Sequence, residues 1–425
     1  MSREMKDSGV EWIGKIPESW DVKQLRTYFL RRSNKNIHLQ EKNLLSLSYG
    51  RIVRKNIDTK EGLLPESFDG YNIVEDGDIV IRGTDLQNDH RSLRTGLVTE
   101  RGIITSAYMT LKPKTEVNSA YYHYLLHCYD VSKVFYSMGG GLRQSLDYWE
   151  FIRMPVLHPT DGEQEEIISY IQTKCTAIDT AIEKTKKSIE KLEEYKKAVI
   201  TKAVTKGIDP NAKMKDSGVE WIGEIPENWD VKQLRTYFLR RSNKNIHLQE
   251  KNLLSLSYGR IVRKNIDTKE GLLPESFDGY NIVEDGDIVI RGTDLQNDHR
   301  SLRTGLVTER GIITSAYMTL KPKTEVNSAY YHYLLHCYDV SKVFYSMGGG
   351  LRQSLDYWEF IRMPVLHPTD REQEEIISYI QTKCTAIDTA IEKKKKAIEK
   401  WEEYKKSLIY YAVTGKIDCR NEVIE

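Results

Sequence analysis

No stretch of the 425 residues approaches the ~20 consecutive apolar residues that span a bilayer, so a helical membrane protein is not expected. The opening Met1-Ser2-Arg3-Glu4-Met5-Lys6-Asp7 lacks the apolar core of a secretory signal. Cysteine is scarce. Four of the five fall into two related pairs, Cys128/Cys337 and Cys175/Cys384, and Cys419 stands alone, which reads as reduced thiols in a cytoplasm rather than a disulfide framework. There is no Pro-Pro pair, so the Asn/Asp-Pro-Pro-aromatic motif of adenine-N6 methyltransferases is missing. No G-x-G-x-x-G loop or complete P-loop occurs either. Gly415-Lys416 has Lys206-Gly207 as its counterpart, so no phosphate cradle is repeated. The Gly139–Gly141 run has no preceding strand to make it a nucleotide site. His123, His127 and Cys128 are a weak metal signal: helical spacing gives a pair, but no fourth ligand stands near, and helix-face residues are the better reading. Together these absences argue against a self-sufficient enzyme and predict no bound cofactor or metal. A net charge of +1 also withholds the strong basic excess common in nucleic-acid binders, although phosphate contacts need only a local patch.

What is present is a repeat. An offset of 209 residues superimposes the two halves, and all 142 residues from Trp20 to Asp161 recur unchanged at Trp229 to Asp370. Differences gather outside that block: Lys15 becomes Glu224, Ser19 becomes Asn228, Gly162 becomes Arg371, and many positions after Lys184 change. A solenoid would show a period of ~20–50 residues in three or more copies. Two copies of a whole domain are a duplication.

Within a copy, Ile73-Val74, Asp78–Arg82 and Ile103–Leu111 are short β-rich runs bounded by Gly, Asp and Pro, and predict strands. Asn118 to Met138 opens on a cap signal and ends at glycines, which predicts a helix, and Arg153–His158 predicts a further strand. The Tyr121, Tyr122, Tyr124, Tyr129 cluster reads as helix packing. Trp12 and Trp221 read as anchors of the N-terminal segments against the helices.

After each copy the period changes. Ile171, Cys175, Ile178, Ile182, Thr185, Ile189, Leu192, Lys196 and Val199 alternate steps of four and three, a coiled-coil seam. Its second occurrence runs through Ile380, Cys384, Ile387, Ile391, Lys394, Ile398, Trp401, Lys405 and Leu408. Thr160-Asp161 before Glu163-Gln164 supplies a capping box. Neither seam can stand alone in water, and the other copy in the same chain is the economical partner.

The expected organisation is an N-terminal segment 1–19, a domain 20–161, a helix 162–206, a linker with a second N-terminal-like segment 207–228, a domain 229–370, a helix 371–414 and a tail 415–425. The fold class is two α/β (α+β) domains separated by two long helices packed as an antiparallel coiled coil.

The segments MKDSGVEWIGKIPESW (Met5–Trp20) and MKDSGVEWIGEIPENW (Met214–Trp229) resemble the specificity subunits of type I restriction–modification enzymes. So do the helix starts EQEEIISYI, the domain body GDIVIRGTDLQNDHRSLRTG and GGGLRQSL, and AVTGKID near the end. The resemblance covers essentially the whole chain, in the family order of domain, helix, domain, helix. It implies a cytoplasmic, bacterial or archaeal, non-catalytic DNA-binding subunit with two target recognition domains. It implies two modification (methyltransferase) subunits as partners, holding S-adenosylmethionine for adenine-N6 methylation. A restriction (translocase-nuclease) subunit using ATP and Mg would be a further possible partner.

Base edges are read by paired donors and acceptors, Arg for guanine and Asn or Gln for adenine. The loop after Ile81 gathers these types in Arg82, Thr84, Gln87, Asn88, Arg91 and Arg94, repeated as Arg291, Thr293, Gln296, Asn297, Arg300 and Arg303. A second candidate run holds Gly140, Arg143, Gln144 and Ser145, repeated as Gly349, Arg352, Gln353 and Ser354. Lys35, Asn36, Tyr49, Arg51 and Arg54, with Lys244, Asn245, Tyr258, Arg260 and Arg263, are expected to position the DNA backbone. Family members usually read asymmetric bipartite sites. Identical domains on antiparallel helices instead predict an interrupted palindrome. A coiled-coil scaffold with duplicated protein-binding domains is the alternative, favoured by the neutral charge.

Overall fold

The computed structural model describes residues 3–58, 65, 67–89, 92–138, 145–266, 276–298, 301–349 and 354–421. The chain divides into two units, Met1–Thr185 with Lys395–Glu425, and Lys186–Lys394. Each unit therefore takes one α/β domain, the first part of the long helix that follows it, and the last part of the other long helix. The long helices span Asp161–Lys206 and Asp370–Val413.

In the first unit two four-stranded sheets face each other. One, in the order β4-β11-β8-β9, uses Phe29–Arg31 (β4), Ile79–Ile81 (β8), Thr95–Leu97 (β9) and Met109–Pro113 (β11). The other, β6-β5-β10-β7, uses Leu44–Ser48 (β5), Arg51–Lys55 (β6), Asn72–Val74 (β7) and Gly102–Ile104 (β10). Preceding them are the hairpin of Met5–Asp7 (β1) with Lys15–Pro17 (β2), and Asp21–Gln24 (β3), which pairs with Pro155–His158 (β12). Among the described residues of this unit every ladder is antiparallel except that of β10 on β5. The period-2 rule separates the faces. Val80 joins Leu45, Val74, Val98 and Ile104 in one small core, while its neighbours Ile79 and Ile81 join Leu111 and the helix Ser119–Val131 (α1) in the main one.

The run Ile103–Leu111, read from sequence as one strand, is two. Thr105–Tyr108 turns between β10 and β11, with Tyr108 N–H donating to Thr105 O at 3.2 Å. The helix expected over Asn118–Met138 stops at Val131. Its cap holds as read, since Asn118 accepts from Tyr121 N–H, but Lys133 takes a left-handed φ of 64° and only a short 3-10 turn follows.

At the start of the first long helix the capping box closes both ways. Glu163 N–H donates to Thr160 Oγ1 at 3.4 Å and Thr160 N–H to Glu163 Oε2 at 3.3 Å. The same carboxylate accepts from Trp20 Nε1 at 3.1 Å and pairs with Arg3. The second long helix ends against the same tryptophan. Gly415 has φ 69°, and a Cβ there would lie 2.5 Å from Pro17, so only glycine fits. Two helix ends of opposite sense meeting at Trp20 make the two helical segments antiparallel within this unit, and Lys405 donates across them to Asp179 at 2.6 Å. The second unit repeats the design: Glu372 accepts from Trp229, and Lys196 donates to Asp388 at 2.7 Å.

The seam is inward over Ile171, Ile178, Ile182, Val199, Ile380, Ile387, Ile391 and Leu408, all buried, and half-buried at Ile189, Leu192 and Ile398. Trp401 departs from it. At 40% exposure its indole is larger than the space its counterpart Leu192 fills, and it turns its edge to Tyr404, with ring centroids 6.1 Å apart. Trp12 and Trp221, expected from sequence to anchor the N-terminal segments against the helices, are only partly covered. They are 41% and 49% exposed, and Trp12 meets Tyr129 of α1; Trp20 and Trp229 are fully buried.

Candidate nucleic-acid interface

Leu44–Ser48 alternates residues for two faces and returns through Tyr49-Gly50 into Arg51–Lys55. Both turn residues have positive φ, 46° and 75°, as a two-residue primed turn demands. Tyr49 stands at the tip, 87% exposed, with Arg51 exposed beside it. The tip leans on Leu93, whose Cβ lies 3.1 Å from where a side chain on Gly50 would begin. The loop Arg82–Asp89 leaves β8, and Leu146 N–H donates to Gly83 O at 2.8 Å. The Tyr49 tip thus lies against the residues leading into β9, and the loop after Ile81 is bonded to the stretch that follows Ser145.

The loop is held from beneath. Arg94 is fully buried, and all five guanidinium N–H groups find acceptors that carry no formal charge. Nε donates to Tyr136 Oη at 3.2 Å, one terminal nitrogen to Arg82 O and Thr84 O at 3.1 and 2.7 Å, and the other to Asp85 O and Asp89 O at 3.1 and 2.6 Å. Its backbone N–H donates to Asp130 at 2.6 Å, and burial pushes that carboxyl up to about 6 against the Arg94 hydrogen bond and charge. Arg303 makes the same five bonds in the second unit, to Tyr345, Arg291, Thr293, Asp294 and Asp298. Arg94 and Arg303 therefore lie buried beneath the loop and hold its backbone, where the expectation from sequence had them at the surface.

Asn36 and Asn245 are corrected in the same way. Both are fully buried, and each amide closes a turn by bonding the backbone N–H and C=O of Glu41 or Glu250 at 2.9 Å. Their exposed neighbours Lys35 and Lys244 donate to Gly70 O and Gly279 O at 2.9 and 3.0 Å. Arg54 and Arg263 are exposed but bidentate to Glu100 and Glu309, which lowers their offer to a phosphate. Arg82 and Arg291 are half-buried, paired with Asp89 and Asp298 at 3.2 and 3.3 Å.

Thr84, Gln87, Asn88 and Ser145 stand exposed, as do Thr293, Gln296, Asn297 and Ser354; Asn88 and Asn297 donate to Asp85 and Asp294 at 2.9 Å. Tyr258 is 86% exposed and Arg260 is exposed. Gly349 pairs with Ser354 in a short hairpin. Arg91, Gly140, Arg143, Gln144, Arg300, Arg352 and Gln353 lie outside the described residues.

The paired histidines of α1 face inward. Burial, with His127 adding, pushes His123 down to about 4, and His332 beside His336 likewise. No group of three His, Cys, Asp or Glu among the described residues could hold a metal ion. A folded value below the ordinary 6.5 means the unfolded chain takes up protons that the native one refuses. Stability is therefore full above pH 6.5 and falls as pH drops from 6.5 toward 4, by on the order of 1–3 kcal/mol per histidine. The His123→Gln/His332→Gln variant should show a shallower loss of Tm between pH 7 and 5 than the wild type. Parallel curves would contradict the neutral buried imidazoles.

The chain as a whole resembles known proteins. No family model matches the chain. Over 425 residues it is 24% identical to the MjaX specificity subunit of a type I restriction enzyme from Methanocaldococcus jannaschii, covering 95% of each chain. The MjaVIII specificity subunit of the same organism is 25% identical over 345 residues, 76% of each. Among solved structures, a chain from a type I restriction–modification system matches with a TM-score of 0.67 over 95% of this chain and 99% of its own, at 10% identity. The HsdS subunit from Thermoanaerobacter tengcongensis matches at 0.54 over 95% and 98%, at 11% identity. At such identity the structural matches speak for the fold. In sequence the chain is similar, along most of its length, to specificity subunits of type I restriction enzymes, and it shares its fold with the solved chains above.

Proposed function

We propose that the chain reads DNA sequence for a type I restriction–modification complex and performs no chemistry itself. The observation that carries this is the repeated loop. Each unit exposes Thr84, Gln87 and Asn88, or Thr293, Gln296 and Asn297, on a backbone pinned by a buried arginine. Side chains that present donors and acceptors from a rigid frame can discriminate base edges, and the exposed Arg51 and Arg260 suit phosphates.

Identical readers select identical half-sites. The antiparallel course of the helical segments within each unit favours an inverted repeat, so the target is an interrupted palindrome with a non-specific spacer. In this reading two modification subunits dock on the chain and supply S-adenosylmethionine for adenine methylation. ATP and Mg belong to a restriction subunit where one joins.

A duplicated protein-binding scaffold is the competing account. Titrating the purified full chain onto duplex DNA at 50 to 200 mM salt separates them. A reader contacting several phosphates loses affinity steeply, with a log–log slope of roughly −0.9 per phosphate neutralised. A flat, weak response would favour the scaffold.

A further inference from the structure

Trp149 and Trp358 are each 65% exposed, although they sit in well-formed structure. Each belongs to a single helical turn, Tyr148–Phe151 (α2) and Tyr357–Phe360, pinned at one end by a fully buried phenylalanine, Phe151 or Phe360. At the other end Asp147 accepts from Trp149 N–H at 2.8 Å and Glu150 N–H at 3.1 Å, and Asp356 does the same in the second unit. The indoles are thus presented to solvent by rigid backbone. Each leans edge-on against the preceding tyrosine, ring centroids 5.1 Å apart. The guanidinium of Arg31 lies over Tyr148 at 5.3 Å, and that of Arg240 over Tyr357 at 5.2 Å. Among the described residues neither arginine has a carboxylate within salt-bridge distance.

In the second unit this cluster lines a cavity of about 260 Å³ whose other walls include Thr293 and Ser354. Those two hydroxyls belong to the segments read above as facing DNA. The volume lies below the ~300–1,000 Å³ of ordinary small-molecule sites but leaves room for one flat ring system. Aromatic faces, hydroxyls that donate and accept, and a guanidinium with no carboxylate partner among the described residues are the elements with which proteins hold an unstacked nucleotide.

We propose that each recognition domain carries a second DNA contact, a niche in which Trp149 or Trp358 stacks on one nucleotide drawn from the duplex while Arg31 or Arg240 meets its phosphate. The niche rests on the DNA-reading role proposed above. It gives the two domains a contact that the hydrogen-bonding loop alone lacks, and it places an aromatic surface next to the bases the loop reads.

The test uses the full chain and the duplex that wild type selects from a random pool. Trp149→Ala/Trp358→Ala should weaken binding roughly tenfold per copy, because stacking on one base is worth about that much. The salt slope should stay unchanged, since no phosphate contact is removed. Trp149→Phe/Trp358→Phe keeps an aromatic face and should bind within about threefold of wild type. Both tryptophans are largely exposed, so the variants fold. If wild type selects no sequence, the DNA-reading role falls and the niche falls with it. If wild type selects a sequence and the alanine variant binds it equally well, the niche alone is overturned.

Discussion

Arg94→Ala with Arg303→Ala is expected to destroy sequence discrimination and to cost each unit about 3–5 kcal/mol. The deletion removes five donated hydrogen bonds from four backbone carbonyls and a phenol, and leaves the buried Asp130 or Asp339 with Lys133 or Lys342 as its nearby cation in place of two. The loop Arg82–Asp89 then loses the one side chain that bonds Arg82, Thr84, Asp85 and Asp89 together. Lysine keeps the charge but offers three donors in place of a five-donor fork, and reaches fewer of those carbonyls at once. Arg94→Lys/Arg303→Lys should therefore stay folded and bind DNA with an unchanged salt slope, while its preference for the selected duplex over a random one collapses. Denaturant unfolding and paired titrations on the two duplexes measure both effects. Full preference in the lysine variant would show that the arginine only fills space.

Altering one copy alone should break the symmetry of the target. Thr84→Ala/Gln87→Ala in the first unit leaves Thr293 and Gln296 intact in the second. A lost base-edge contact costs about 1–3 kcal/mol of discrimination, roughly five- to 150-fold. The variant should accept any base at the affected positions of one half-site while holding the other unchanged. Equal relaxation of both halves would mean that the loops do not read separate half-sites.

Sequence exposed the features that depend on pattern. The 209-residue offset, the alternating four- and three-residue steps and the Thr160–Glu163 box needed only spacing, because coiled-coil seams and caps are local or periodic. Burial of polar residues was not legible. Arg94 and Asn36 look like surface groups by type, and only the fold supplies the carbonyls around one and the turn around the other. A faint signal existed for Arg94, which immediately precedes the short buried strand Thr95–Leu97, where a solvated arginine has little room. Sheet order was likewise out of reach, since the parallel pairing of β10 on β5 joins segments distant in sequence. Trp149 escaped notice for the opposite reason. A tryptophan reads as core by default, and its 65% exposure is visible only once Phe151 is seen to take the buried side of the turn.

The most direct measurement is selection of duplexes by the full chain from a random pool, followed by sequencing of the bound fraction. The proposal of twin readers expects one short motif to be enriched twice, in inverted orientation, at a fixed separation, with unconstrained bases between. Enrichment of two unlike motifs, or of none, would contradict it.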